Sequence, residues 1–159
     1  MKLIVIFLMV LSVISCNSTK STNNVNQVMI ANPFVDCNTV KEAEDIAGFS
    51  ITIPKELSNK KINYRVLNLS TKMIELIVDN NSDDEITIRK ANILDDISGL
   101  YYDFNIINTV DINNIKFTLR GSNESYVNAI WQDNGFSYSV YIPSGKSIEY
   151  MLNIISKIK

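Results

Sequence analysis

Tyr126-Val127-Asn128-Ala129-Ile130-Trp131-Gln132-Asp133-Asn134-Gly135-Phe136-Ser137-Tyr138-Ser139-Val140-Tyr141-Ile142 is the stretch that decides the fold class. Two runs rich in aromatic and β-branched residues flank Asp133-Asn134-Gly135, which is the chemistry of a tight antiparallel hairpin. Period-two alternation puts Val127, Ala129 and Trp131 on one face of the first strand and Tyr126, Asn128, Ile130 and Gln132 on the other. In the second strand Phe136, Tyr138 and Val140 oppose Ser137, Ser139 and Tyr141. Pro143-Ser144-Gly145 is expected to break the sheet.

Working upstream, the same alternation recurs. Strands are predicted over residues 49–53, 62–69, 72–79, 85–91, 101–110 and 115–120. Ile74, Leu76 and Val78 point to one face of theirs, and Ile86 and Ile88 to one face of the next, with Thr87 and Arg89 opposite. Residues 80–84 and Asn113-Asn114 read as turns, and residues 95–99 as a loop or a single helical turn. Two helices bracket the strands. Thr39 and Glu42 form a capping box for the first, with Gly48 at its end. Ile148, Met151, Leu152, Ile155 and Ile158 form an apolar stripe at helical spacing in the second, over residues 147–158. Strands bracketed by helices and joined by short turns predict an α+β fold. Its sheet would be an antiparallel meander of about six to eight strands, with the N-terminal and C-terminal helices packed on one face.

The start of the chain speaks to location. Residues 1–15 carry a charge at Lys2, an apolar run and a small residue, Ser15, which is the layout of a secretory signal. A run of about a dozen apolar residues is short of the ~20 a membrane span needs. Val13-Ile14-Ser15-Cys16 resembles the lipobox of bacterial lipoproteins. That resemblance implies lipidation of Cys16, which becomes the mature N-terminus and the membrane contact. Residues 16–31 are polar, with too little apolar content to fold, and read as a flexible tether. Residues 32–159 form one domain by length. The expected location is extracytoplasmic and lipid-anchored.

Of the 159 residues, 46% are hydrophobic, enough for a core, and the net charge is −2. That balance gives no electrostatic footprint for nucleic acid. The chain has no histidine, which removes the commonest general base and zinc ligand. No phosphate-binding glycine loop is present. Asp79, Asn81 and Asp83 alternate as in a calcium loop, but Asp84 stands where that loop needs glycine and Lys90 where it needs glutamate, so an acidic hairpin tip is expected. Asp83-Asp84 and Asp95-Asp96 are adjacent pairs that a strand or turn points apart. Cys37 reads as a half-buried structural residue. The sequence predicts no catalytic residue, no metal and no cofactor. Trp131 with Phe136 and Tyr138 either fills the core under the helices or lines an aromatic groove for a glycan, peptide or lipid. Tyr126, Trp131 and Tyr141 are the candidate binding residues of that groove.

Several short patterns carry a family likeness: Asn32-Pro33-Phe34, Cys37-Asn38-Thr39, Glu42-Ala43, Ala47-Gly48-Phe49 with Pro54, Ile88-Arg89-Lys90-Ala91, Asp96-Ile97-Ser98-Gly99, Ala129-Ile130-Trp131, Tyr138-Ser139-Val140, and a C-terminal helix with Glu149. Across residues 32–159 the chain resembles small exported lipoproteins of anaerobic, low-GC bacteria. Their domain of unknown function is also found on the outer part of some membrane-bound anti-sigma factors. The resemblance implies an exported domain with no established catalytic residues; no direct anti-sigma role is expected. Together these observations predict a non-catalytic binding or sensory module at the cell envelope, with an envelope protein or ligand as partner. The alternative is a carrier holding a lipid or glycan between sheet and helices, as an antiparallel sheet with a helical lid would allow.

Overall fold

The structure, a computed structural model, describes residues 32–159. The expected signal (1–15), the expected lipidation at Cys16 and the expected tether (16–31) lie outside the described residues. The domain is α+β: one eight-stranded antiparallel sheet with two helices on one face. The strands are β1 (Phe34–Cys37), β2 (Ile62–Asn68), β3 (Lys72–Val78), β4 (Ile86–Ala91), β5 (Ile106–Ile112), β6 (Ile115–Ser122), β7 (Ser125–Asp133) and β8 (Phe136–Lys146).

Their order is β1-β2-β3-β4-β8-β7-β6-β5, so the sheet is two meanders rather than one. After β4 the chain crosses to the far edge, starts β5 there, and returns strand by strand until β8 pairs with β4. Residues 92–105 make that crossing. This explains the main departure from the expected strands. Residues 101–105, expected to begin a strand, belong to the crossing, and pairing starts only at Ile106↔Gly121.

The β7–β8 hairpin forms as its turn chemistry demands. Asn134 (φ 49°) and Gly135 (φ 82°) both take the left-handed conformation, and Asp133 pairs with Phe136. Asn113 (φ 51°) and Asn114 (φ 66°) make the same kind of turn between β5 and β6. Pro143 does not end the sheet. β8 runs on to Lys146 across a register shift, from Asn128↔Tyr141 to Tyr126↔Lys146, with Pro143 and Ser144 exposed. A bulge in β7 at Val127 also turns Tyr126 over. It joins Trp131 on the helix-covered face instead of sharing the opposite face with Asn128, and it pairs with Gly121 of β6.

Helix α1 (Val40–Ala47) is capped as expected by Thr39, whose Oγ1 accepts the Glu42 N–H (3.1 Å). The reciprocal arm lands one residue upstream: Glu42 Oε2 accepts the N–H of Asn38 (2.8 Å), not that of Thr39. Gly48 closes the helix at φ 81°. Residues 49–53 do not become a strand. They lie against the end of the chain, where Thr52 N–H meets the Lys159 carbonyl (2.9 Å), and Ile51 N–H is taken by the Glu44 carboxylate (2.9 Å). A turn of 3-10 helix, Lys55–Leu57, follows Pro54. Helix α2 (Ile148–Ile155) starts at Ser147, whose Oγ accepts the Tyr150 N–H (3.3 Å), and it stops three residues before the expected Ile158.

Between helices and sheet the core is continuous. Ala43 and Ala47 of α1 and Met151, Ile154 and Ile155 of α2 meet Val66, Ile74, Leu76, Leu119, Val140 and Ile142 of the strands. Trp131 and Tyr138, directly opposed on β7 and β8, stack with ring centroids 5.0 Å apart and planes 4° from parallel. Phe117 packs on the other side of the indole at 5.1 Å. These aromatics therefore fill the core.

The packing corrects the stripe on α2: Met151, Ile154, Ile155 and, past the helix, Ile158 are buried, whereas Ile148 and Leu152 are half-buried. Ile155→Ala should cost about 2–5 kcal/mol through lost burial and a cavity. Leu152→Ala should cost less, and exposed Glu149→Ala under about 0.5 kcal/mol. Denaturant unfolding of the three variants checks the order; equal midpoints would show that α2 is not a core element.

Candidate functional site

Two places hold chemistry that an apolar core does not need. The first is on the helix side. Strand alternation that buries Ile86 and Ile88 also turns Lys90 inward, and it is 7% exposed. Its ammonium donates to the Ser50 carbonyl (2.8 Å) and lies over the rings of Phe136 (4.5 Å), Tyr138 (5.2 Å) and Phe49 (5.8 Å). Phe49 and Phe136 also pack on each other, at 5.0 Å. Desolvation lowers the Lys90 pKa, against the pull of Asp133 and Glu44. Carbonyl and ring faces satisfy the cation, so the lysine fastens the segment after α1 to the sheet.

The second place is the opposite face of the sheet, which the crossing segment partly covers. Glu75, in the middle of β3, points there and is fully buried. Arg65 of β2 and Arg89 of β4 sit on either side of it by strand register. Arg65 donates to Oε1 through Nε (2.8 Å) and Nη2, and Arg89 donates to Oε2 through Nε (2.7 Å). Arg89 then reaches outward, and its Nη1 donates to the carbonyls of Ile97 (3.1 Å) and Ser98. Gly99 is required at this contact. It has φ 70°, and a Cβ there would sit 2.8 Å from Arg89 Nη1.

Other bonds hold the crossing segment along its length. Asp95 N–H donates to the buried Ser137 Oγ (3.0 Å), and Asp96 Oδ2 takes Arg120 Nη1 (2.6 Å). Burial pushes the Asp96 carboxyl up, but the Ser98 and Arg120 hydrogen bonds outweigh it and hold it below the ordinary value. Beneath lies a polar layer of Ser137, Ser139, Thr87 and Asn128, all nearly or fully buried. Asn128 Nδ2 donates to Ser139 Oγ (3.2 Å) and the Val140 carbonyl (3.0 Å), while its Oδ1 has no partner among the described residues.

The segment leaves a cleft on each side. One, of about 420 Å³, lies between Asp95-Asp96 and strands β6 and β7, with Lys116, Thr118, Ile130 and Gln132 in its walls. The other, of about 260 Å³, lies over the charge cluster and is bordered by Leu100 and Tyr141. Beyond them Tyr101 (98% exposed) and Tyr102 (53%) stand out into solvent.

The expected binding residues are not brought together. Trp131 borders the larger cleft from the core side and Tyr141 the smaller one. Tyr126 borders a third, near the start of α2, with its hydroxyl accepting from Asn108 Nδ2. Burial, and after it the neighbouring Tyr102, push the Tyr141 hydroxyl up. The acidic turn after β3 is occupied by its own neighbours: Asp79 pairs with Lys60 (2.7 Å), Asp84 with Lys146 (3.2 Å), and Glu85 Oε2 takes the Asn81 N–H (2.9 Å). Cys37 is half-buried in β1. Burial, then Glu42 and Asp36, raise its thiol pKa, away from nucleophilic use.

Sequence reasoning missed Glu75, its arginines and Lys90, although the signals were present. Glu75 interrupts the apolar run Met73-Ile74-Glu75-Leu76-Ile77-Val78, and Lys90 falls in phase with Ile86 and Ile88. No protein-family model, curated protein or solved structure significantly matches the chain.

Two substitutions test these assignments. Glu75→Ala strands two arginines beside a desolvated face and should cost about 3–5 kcal/mol; a loss below ~1 kcal/mol in urea unfolding would show the cluster to be incidental. Lys90 gives a pH signature. A lysine whose folded pKa is lowered binds its proton more weakly than the unfolded chain does, so stability rises with pH between the folded value and ~10.4. Relative to Lys90→Met, the wild type should gain stability as pH rises toward the ordinary lysine value of ~10.4. A pH-independent difference would contradict the desolvated ammonium.

Proposed function

We propose that this protein is a non-catalytic binding module held at the extracytoplasmic face of a membrane by lipid on Cys16. Its second partner would be an envelope protein or ligand met by the sheet face opposite the helices. The observation that carries this is the strapped face. Residues 92–105 are fixed to a rigid sheet by Arg89, Arg120 and Ser137, leave clefts on both sides, and expose Tyr101 and Tyr102. Irregular segments positioned by a rigid scaffold are where recognition concentrates, and exposed aromatics are the side chains most enriched at interfaces. Glu75 pairs with Arg65 and Arg89, and Asp96 with Arg120, so these charges hold the face in shape. The layer between sheet and helices is filled by Trp131, Tyr138, Phe117 and the aliphatic core. That favours a module over a carrier with a cavity there.

The signal and lipobox of the sequence support the anchor. Cys16→Ser should move the protein from the membrane fraction to the soluble one, or leave it unprocessed, and abolish labelled-palmitate incorporation. Unchanged palmitate labelling would remove the anchor from the proposal. For the face itself, the Tyr101→Ala variant should keep its unfolding midpoint, since that side chain stands almost wholly in solvent, whereas Tyr102 also packs on Phe104. The variant should also lose photo-crosslinks that the native chain makes at the envelope.

A further inference from the structure

We infer that the larger of the two clefts flanking the charge-pinned part of the crossing segment, between Asp95-Asp96 and strands β6 and β7, is a saccharide-binding site; this rests on the binding-module proposal and names the ligand class for it. At about 420 Å³ the cleft lies within the ~300–1,000 Å³ range of ligand sites. Period-two alternation sends Lys116 and Thr118 of β6 and Ile130 and Gln132 of β7 to the same face, and Thr118 stands directly opposite Ile130. The lining is therefore a half-buried apolar side chain, Ile130, among groups that donate (Lys116), accept (Asp95) or do both (Thr118, Gln132). A sugar ring presents that same combination: an apolar C–H face and a rim of hydroxyls that each donate and accept.

Charge narrows the class. Asp95 and Asp96 are balanced by Lys116 in the wall and by Arg120 behind Asp96. An anion would meet Asp95, and a free cation would meet Lys116. A neutral polyhydroxyl ligand meets neither penalty. The acceptors are also fixed in advance. Asp95 Oδ1 takes the Asp96 N–H (2.8 Å), Asp96 Oδ1 takes the Ser98 N–H (2.9 Å), and Arg120 holds the other Asp96 oxygen. Asp95 Oδ2 is thereby left aligned and without an assigned partner among the described residues. Preorganised groups lose less entropy on binding, which matters for ligands as weakly bound as sugars.

Trp131 borders this cleft only from the core side, where its indole stacks on Tyr138, so binding is read directly from its heat rather than from tryptophan emission. The full chain is titrated with cellotriose, maltotriose and chitotriose by isothermal calorimetry, and binding is checked by saturation-transfer NMR. At least one trisaccharide should give saturable binding. Asp95→Ala and Gln132→Ala should each weaken it about tenfold or more at an unchanged unfolding midpoint, while Tyr101→Ala should not. Absence of saturable binding by all three sugars would overturn the saccharide site. So would binding that both cleft variants leave intact. With photo-crosslinks through Tyr101 retained, either result would leave the binding module standing. Saccharide binding by a protein that Cys16→Ser does not release would instead uphold the cleft and overturn only the anchor.

Discussion

A carboxylate in the middle of a central strand is the constraint from which the rest of the structure follows. Glu75 faces away from the helices, on a sheet whose inner strands have neighbours on both sides, and it is fully buried. A buried carboxylate is tolerable only when its charge is matched and its lone pairs are filled. Arg65 and Arg89 meet both demands from the adjacent strands, at positions that the antiparallel register makes unavoidable. Arg89 then has donors left over. The carbonyls that take them belong to the segment that carries the chain from β4 to the far edge of the sheet. One ion cluster thus ties together three strands and the crossing, and it turns what would be a solvated sheet face into a half-covered one.

The two faces consequently differ in kind. The helix side is dry and aromatic, with Phe117, Trp131 and Tyr138 packed in sequence and a single lysine enclosed by ring faces and a carbonyl. Most of its chemistry is used in folding, although a cleft beside Tyr126 and the start of α2 stays open at its margin. The other side is layered: buried serines, a threonine and an asparagine beneath, a pinned segment above, and open clefts at its margins. Polar groups there are held in place by the fold yet remain within reach of solvent. That is the arrangement a recognition surface requires, since complementarity depends on groups oriented before the partner arrives.

Location and recognition reinforce each other in the proposed function. A lipid on Cys16 and a polar stretch of residues 17–31 would keep the domain close to a membrane while leaving it free to turn. In that setting even weak individual contacts count, because tethering raises the effective concentration of any ligand fixed to the same envelope. A polar cleft with an apolar floor, beside two exposed tyrosines, suits such low-affinity engagement.

What the sequence by itself determined is everything governed by local chemistry. Alternation fixed the faces of β3, β4 and β6, Asn134-Gly135 fixed the hairpin, and Thr39 and Ser147 fixed the starts of both helices, because period, turn and cap act over a few residues. The α+β class followed from the order of those elements. Only the tertiary structure decided how the two meanders join, since nothing local in residues 92–105 says that β8 will close on β4. Only it decided that residues 49–53 stay irregular and that a bulge in β7 at Val127 turns Tyr126 to the core. The candidate site belongs to this second class. Asp95, Lys116 and Gln132 come from three separate stretches of chain, brought together by the pairing of β6 with β7 and by the bonds that Ser137, Arg120 and Arg89 make to the crossing segment, contacts that no local pattern specifies.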